Sequence, residues 1–178
     1  MTASDGFDLE AEVRDLAARR DIMAACQRYM RAQDRLLPEL HLSAFHDDAY
    51  VDCGLFAGTA AGFVDFAQGF LRDLKGSQHV IGQHSIEIDG DFADGEAYFI
   101  AWHRVVEDGE EKDLFVSGRY VDRYEKRNGE WRILKRRELI DWARTDKASD
   151  GFMKEFADKL VVGGRGNDDF SVTRSWPS

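Results

Sequence analysis

The feature that most constrains the fold is a hairpin sequence in the second half of the chain, YVDRYEKRNGEWRILKRR. Its central pair, Asn128 and Gly129, tolerates the positive φ angles that the favoured two-residue turn needs at both positions. The segments on either side alternate apolar and polar side chains, as strands with one buried face do. The sequence therefore predicts two long antiparallel strands joined by a tight turn.

Two earlier segments, residues 77–91 and 95–107, show the same period of two. A turn is expected at 107–110, before the strand that leads into the hairpin. If the first segment is one unbroken strand, His79 and His84 lie on opposite faces, because five residues separate them. A bulge at Gly82 would alter that assignment. At least four long antiparallel strands are predicted in all.

The first part of the chain is predicted to be mainly helical. Residues 8–34 carry apolar side chains at a period close to 3.6 without Pro or Gly, which predicts a helix with a break near Arg19 and Arg20. Residues 62–76 predict a second helix, after a short strand at about 48–53. Helices followed by antiparallel strands indicate the α+β class.

The length of 178 residues indicates one domain, which we place at residues 1–145. Residues 146–178 predict a short amphipathic helix and a Gly-rich tail that packs on the domain or on a neighbouring subunit. The first residues do not combine a basic segment with an apolar one, so no secretory signal is read and a cytoplasmic location is expected.

Charge and cysteine content exclude several classes of partner and cofactor. With 34 acidic and 24 basic residues, the chain has a formal charge of −10, which repels nucleic acid and anionic membranes. No apolar run approaches the roughly 20 residues that cross a bilayer. Cys26 and Cys53 are too few and too scattered for a disulfide framework or a zinc site, so both are expected to be reduced.

Three residues could form an acid/base site. A histidine is the commonest general base near neutral pH, and a carboxylate partner fixes its tautomer; His79 and Asp34 could play these parts. A carboxylate at the end of a helix is unfavourable for the helix dipole, which hints at another role for Asp34. Tyr29, on the same helix, could donate a hydrogen bond to an oxygen that gains negative charge. The pattern alone also allows a packed His79 and a solvated Asp34.

The chain resembles the SnoaL-like branch of the nuclear transport factor 2-like superfamily. The resemblance extends over about residues 10–142 and includes the Tyr-x4-Asp element from Tyr29 to Asp34, the sequence SQHVIGQH and the terminal hairpin. It implies a cone-shaped, curved antiparallel sheet, a half-barrel closed by N-terminal helices around an apolar pocket. Members that the chain resembles include hexachlorocyclohexane dehydrochlorinase, bile acid 7α-dehydratase and, more distantly, scytalone dehydratase.

The resemblance also implies roles for individual residues. Asp34 and His79 stand at the positions of the catalytic His/Asp pair, Tyr29 matches the dehydratase tyrosine, and Arg136 matches a pocket arginine of the dehydrochlorinase. His103 is expected to line the pocket or to lie outside it.

Aromatic side chains and the remaining histidines complete the expectations. Phe56 and Trp102 are candidates for contact with an apolar substrate. A metal site built from His79 and His84 is not expected. His41 and His46 are expected at the surface of a loop or helix.

The predicted function is a lyase or isomerase without metal or organic cofactor, acting on a small hydrophobic cyclic substrate. The alternatives are a non-catalytic subunit resembling the β subunit of aromatic-ring dioxygenases, in which Asp34 and His79 would not touch and side chains would fill the pocket, and a small-molecule-binding protein. The resemblance implies a homodimer or homotrimer. The sequence does not distinguish dehydration, dehydrohalogenation and double-bond migration.

Overall fold

The computed structural model describes residues 7–176. Residues 1–6, which belong to the segment inspected for a secretory signal, and residues 177–178 lie outside the described residues. The elements, in chain order, are α1 (Leu9–Arg35), α2 (Pro38–Leu42), β1 (Phe45–Asp52), β2 (Ala57–Thr59), α3 (Ala60–Asp73), β3 (Gly76–Asp89), β4 (Phe92–Glu107), β5 (Glu110–Arg127), β6 (Glu130–Lys147), α4 (Gly151–Glu155), a 3-10 turn (Gly166–Asp168) and α5 (Phe170–Thr173). The α+β class is confirmed.

The strands form one curved, unclosed sheet of six strands in the order β2-β1-β6-β5-β4-β3. The four long strands predicted from alternation are β3 to β6, and they pair as consecutive antiparallel neighbours. One pair departs from the antiparallel pattern, because β1 runs parallel to β6. The predicted turn at the Asn-Gly pair is confirmed: Asn128 and Gly129 have φ angles of 53° and 83°.

Three register shifts among the long strands β3 to β6 curve the sheet and decide which side chains face its inner side. In β3 the pairing with β4 shifts between Ile81 and His84, so this strand contains one extra residue. In β6 Leu134 and Asp141 have no paired residue on β5. Each extra residue reverses the alternation that follows it and bends its strand.

The shift in β3 overturns the prediction for His84. The side chains of Ile81 and His84 are both partly buried, while Gly82 and Gln83 between them are exposed. His84 therefore lies on the same inner face as His79, because the bulge near Gly82 cancels the odd spacing.

Helix α1 lies against the inner face without the break predicted near Arg19 and Arg20. Asp8 caps its first turn by accepting a hydrogen bond from the Ala11 N–H at 3.0 Å, and Leu36 ends the helix in the left-handed region. The predicted break is wrong because Arg19 is held on the helix surface, where it binds Asp15 and donates to the Ile86 carbonyl at 2.8 Å.

The core lies between the inner face of the sheet, α1 and α3. Its buried apolar side chains include Ile22 and Tyr29 of α1, Phe63 of α3 and Phe99 of β4. Cys26 is buried, Cys53 is partly buried, and both are free thiols, as predicted. None of the helices among residues 7–176 is long and apolar enough to cross a membrane.

The tail after β6 is held against the domain by arginines. Arg165 donates hydrogen bonds to the carbonyl oxygens of Leu71 and Leu74 and to the Ser77 hydroxyl, at 2.9, 3.0 and 2.9 Å. Strand β6 continues to Lys147, two residues beyond the predicted domain boundary. The division of the chain into a domain and a tail stays a prediction.

Candidate active site

A cavity of about 560 Å³ lies between the inner face of the sheet and helices α1 and α3. Most of its wall is apolar; the polar groups on it come from a few side chains of α1 and the long strands. The lining residues are Tyr29, Gln33, Cys53, Gly54, Leu55, Phe63, Phe66, Ala67, Phe70, Leu71, His79, Phe99, Ala101, His103, Leu114, Val116, Tyr120, Glu138, Ile140 and Ala143. Leu55, Phe70 and Ile140 are 86%, 48% and 51% exposed, and so mark the side on which the cavity meets solvent.

At one side of the cavity, Asp34 at the end of α1 binds His79 of β3 twice. Its Oδ1 lies 2.7 Å from the His79 Nδ1, and its Oδ2 accepts a hydrogen bond from the His79 backbone N–H at 2.9 Å. Both side chains are nearly removed from solvent, with 5% of the His79 side chain and 11% of the Asp34 side chain exposed. The two contacts fix the position of the helix end relative to the strand.

This geometry sets the tautomer of His79. Because a carboxylate accepts hydrogen bonds, the neutral imidazole carries its proton on Nδ1 and leaves a lone pair on Nε2. The His79 ring forms part of the cavity wall, and none of the described residues hydrogen-bonds its Nε2. A bound molecule would therefore meet a basic nitrogen whose orientation is fixed by a carboxylate.

A second histidine of the wall, His103 of β4, packs edge-on against His79 with ring centroids 5.2 Å apart. Burial lowers the pKa of His103 to about 4; the neighbouring His79 adds to this effect and Asp34 opposes it. His103 is therefore a neutral imidazole at physiological pH. Within the described part of the chain, its buried Nδ1 has no hydrogen-bond partner.

Tyr29 lies in the wall one turn before Gln33 on α1. Burial raises the pKa of the Tyr29 hydroxyl well above its usual value, an effect that Arg136 opposes in part, so the hydroxyl keeps its proton and can donate a hydrogen bond. Gln33 was not singled out from sequence. Its side-chain nitrogen is buried without a partner among the described residues, and its i+4 spacing from Tyr29 on a helix was the signal that could have found it.

Arg136 lies behind the wall and does not line the cavity. Its guanidinium donates to both carboxylate oxygens of Asp122, at 2.7 and 2.6 Å, and neither side chain is exposed to solvent. It packs 4.0 Å from the Tyr29 ring centroid and 4.1 Å from that of Tyr120. The expected direct contact between Arg136 and a substrate is therefore corrected: the aromatic rings separate the guanidinium from the cavity.

Two aromatic candidates also lie outside the wall. Trp102 of β4 follows Ala101 and precedes His103, which both face inward, so regular alternation turns Trp102 to the outer face. There its indole N–H donates to Asp113 at 2.7 Å. Phe56 stacks on Phe66 with ring centroids 5.6 Å apart and supports the wall from behind.

Glu138 of β6 lines the cavity and was missed in the sequence analysis. It is paired with Tyr120 across the sheet and follows Arg136 by two residues, so both face inward. Burial raises the pKa of Glu138, and the positive charges of Arg136 and His79 oppose this in part. Alternation from Arg136 was the signal that could have found Glu138.

Two other histidines are not at the surface, contrary to expectation. His41 is fully buried against Tyr29, with ring centroids 4.7 Å apart, and its Nδ1 lies 3.1 Å from the Gln68 amide nitrogen. His46 is 7% exposed, and its Nε2 lies 2.8 Å from the Glu125 carbonyl oxygen. The prediction of surface positions was wrong because α2 packs against α1, which buries His41, and because the His46 ring lies against the backbone of β5.

Groups of three or more side chains suited to hold a metal ion are absent from residues 7–176. The polar groups on the cavity wall include histidines, tyrosines, a glutamine and a glutamate, and they come from α1 and from strands β3 to β6.

The family follows from a comparison of the whole sequence with known domains. Residues 14–137 match the model of a SnoaL-like domain, which is well over half of the chain. The chain belongs to the SnoaL-like domain family. The predicted membership is confirmed. The cavity of this SnoaL-like protein lies within the matched residues, except for Glu138, Ile140 and Ala143 of its wall. No curated protein matches the sequence significantly.

Solved structures show the same fold. A type 2 hexachlorocyclohexane dehydrochlorinase is 20% identical, with a TM-score of 0.71 over 79% of this chain and 99% of the other. A scytalone dehydratase-like protein of Novosphingobium aromaticivorans is 20% identical, with a TM-score of 0.66 over 76% of this chain and 91% of the other. A Nostoc punctiforme protein of unknown function is 20% identical, with a TM-score of 0.58 over 69% and 90% of the two chains. At such identities the likeness establishes the fold of this SnoaL-like protein.

Proposed function

We propose that this SnoaL-like protein is a cofactor-independent lyase or isomerase that removes a proton from a small, hydrophobic, cyclic substrate. The observation that carries the proposal is the bidentate contact of Asp34 with His79 at the wall of an apolar cavity. A base held in one tautomer beside an apolar binding volume is suited to abstracting a proton from carbon.

In the proposed reaction, the His79 Nε2 takes the proton and Asp34 stabilises the imidazolium that results. The electron pair left on carbon forms a double bond, either with loss of a neighbouring leaving group or with migration of an existing double bond. Tyr29 keeps its proton and donates a hydrogen bond to an oxygen that gains negative charge. None of these steps uses a metal or an organic cofactor.

The alternative of a non-catalytic subunit predicts that Asp34 and His79 are apart and that side chains fill the pocket. The 2.7 Å contact and the 560 Å³ cavity favour an enzyme over that alternative. A protein that only binds small molecules would also have a cavity, but it would not require a carboxylate to orient the imidazole. The homodimer or homotrimer and the cytoplasmic location stay predictions.

The proposal is tested by hydrogen exchange at carbon. Bicyclic ketones such as 1-tetralone are incubated in D₂O with the protein, and deuterium uptake next to the carbonyl group is followed by NMR. We expect exchange with the unaltered protein and a loss of roughly 10²- to 10⁴-fold in His79→Gln, the usual contribution of a positioned base.

His84→Gln is the matched control, because His84 lies on the inner face of the same strand outside the cavity wall. Exchange is expected to persist in this variant. Undiminished exchange in His79→Gln would contradict the proposed function, as would a lack of exchange by the unaltered protein with all the bicyclic ketones tested.

A further inference from the structure

Several polar groups on the cavity wall have no part in the proposed proton abstraction, and one of them is a carboxylic acid. Glu138 is the carboxylic acid among the described residues that line the cavity. It lies on β6, while the proposed base lies on β3, at the other end of the run of four antiparallel strands. Acid and base therefore approach a bound molecule from different parts of the curved sheet.

The neighbouring cation does not neutralise Glu138 by pairing with it. Two nitrogens of the Arg136 guanidinium bind Asp122 at 2.7 and 2.6 Å, and the third, Nη1, is buried without a partner among the described residues. His79 binds Asp34 through its ring Nδ1 and its backbone N–H, and its ring makes no contact with Glu138 within hydrogen-bond distance. Glu138 forms no hydrogen bond or ion pair with residues 7–176, so its carboxyl group is available to whatever occupies the cavity.

An apolar wall favours the neutral form of such a group. Burial is the main cause of the raised pKa of Glu138, and the charges of Arg136 and His79 only reduce the shift. A carboxylic acid that retains its proton is a hydrogen-bond donor and a general acid, whereas a carboxylate can only accept.

This inference rests on the proposed function. We propose that Glu138 is the general acid that protonates a departing hydroxyl group, and that the substrate class is cyclic β-hydroxy carbonyl compounds. The reaction is then a dehydration that yields an unsaturated carbonyl compound and water.

The proposed step balances as follows. The C–H bond next to the carbonyl breaks as the His79 Nε2 takes the proton, and its electron pair becomes the new C=C bond. The C–O bond breaks toward oxygen, which takes the proton of the Glu138 carboxyl group and leaves as water. The imidazolium and the carboxylate that remain return to their starting forms when one proton passes from His79 to Glu138 through solvent.

The same carboxyl group argues against halide as the leaving group. Chloride departs as a stable anion and needs no proton, whereas hydroxide is a poor leaving group unless it is protonated. A carboxyl group in an apolar cavity adds nothing to departure of a halide, and its ionised form would repel the anion. Glu138 therefore favours dehydration over dehydrohalogenation.

The experiment compares two reactions of related probes. Exchange of 1-tetralone in D₂O requires only the base, while conversion of 3-hydroxy-1-tetralone into fluorescent 1-naphthol requires base and acid. In Glu138→Gln we expect dehydration to fall by roughly 10²- to 10⁴-fold, and by far more than exchange falls, because exchange does not require the acid. Glu138→Asp, which keeps a carboxyl group, is expected to restore part of the dehydration.

A pH profile distinguishes a chemical role of Glu138 in dehydration from a purely structural one. Dehydration by the unaltered protein should decline as the pH rises through the pKa of Glu138, and this limb should be absent from the residual rate of Glu138→Gln. Dehydration at the unaltered rate in Glu138→Gln would overturn the inference, as would exchange without any dehydration in the unaltered protein.

A binding measurement keeps the inference testable if turnover fails. If the unaltered protein catalyses no exchange, the proposed function is contradicted. The affinities of the protein for 2-tetralol and for tetralin then test separately whether Glu138 binds a hydroxyl group. We expect the alcohol to bind at least about tenfold more tightly, with the preference lost in Glu138→Leu. Equal affinities in the unaltered protein would overturn the inferred contact between Glu138 and a hydroxyl group.

Discussion

Two aspartates of this protein each hold a basic partner through two hydrogen bonds, in opposite settings. Asp122 binds Arg136 where neither side chain is exposed, between the rings of Tyr29 and Tyr120. Asp34 binds His79 at the wall of the cavity. The first pair has a partner that never loses its charge and cannot reach a ligand, whereas the second has an imidazole whose free nitrogen meets the cavity.

The comparison shows that hydrogen-bond geometry alone does not identify a catalytic pair. What separates the two is access to the cavity and the chemistry of the base. We interpret Arg136 as a positioning residue that holds the Tyr29 and Tyr120 rings in the wall, and His79 as the group that reacts.

The largest effect on stability is expected from breaking the Asp122–Arg136 pair, here called the sealed pair because neither side chain is exposed to solvent. Asp122→Asn leaves the buried Arg136 without a compensating charge, so the free energy of unfolding should fall by about 3–5 kcal/mol. Urea denaturation measures the change.

The matched control is Asp48→Asn, since Asp48 makes the same two-bond contact with Arg127 in an exposed position. An exposed pair of this kind contributes little to stability, because water screens both charges. A loss in Asp122→Asn no greater than in the control would remove the distinction between the sealed pair and a surface pair.

A smaller effect, dependent on pH, is expected from His41. Burial lowers the pKa of His41 to about 3, so the folded protein does not take up the proton that the unfolded chain binds near pH 6.5. Stability is therefore complete above pH 6.5 and falls as the pH decreases toward 3, by up to about 1.4 kcal/mol for each pH unit.

The measurement is the unfolding free energy of the unaltered protein and of His41→Gln between pH 7 and 4. The slope should be shallower in the variant, because its side chain does not titrate. His103, with a pKa of about 4, adds to the slope in both proteins. Equal slopes would show that His41 is not kept neutral by burial.

The smallest effect is expected at the tail. Arg165 donates three hydrogen bonds to the end of α3 and the start of β3, next to the strand that carries His79. Arg165→Met should lower the free energy of unfolding by about 1–2 kcal/mol. Arg174→Met is the control, because Arg174 is exposed in the same tail; similar losses in the two variants would mean that the tail contacts do not stabilise the domain.

Alternation and turn chemistry predicted the long strands, the Asn-Gly turn and the α+β class, because each depends on residues close in sequence. The inner face of the sheet could not be predicted so fully. The extra residues near Gly82 and at Leu134 and Asp141 reverse the alternation, and such shifts depend on contacts across the sheet. For this reason His84 was placed on the wrong face.

The candidate site, too, could be predicted from the sequence only in part. The resemblance singled out Asp34, His79 and Tyr29, which the structure brings to one end of α1 and the adjacent strand. It also singled out Arg136 as a contact for the substrate, but only the packing of Tyr29 and Tyr120 reveals that the guanidinium is sealed away. Burial at that depth depends on the whole core and has no signature in the local sequence.

The central claim, that Asp34 orients His79 with a free nitrogen toward the cavity, is tested most directly by the tautomer of His79. Nitrogen-15 NMR at pH 8 should show the proton of the neutral ring on Nδ1, and Asp34→Asn should reduce that preference, because an amide can also donate to the ring. A ring protonated on Nε2 in the unaltered protein would place no base toward the cavity and would contradict the account.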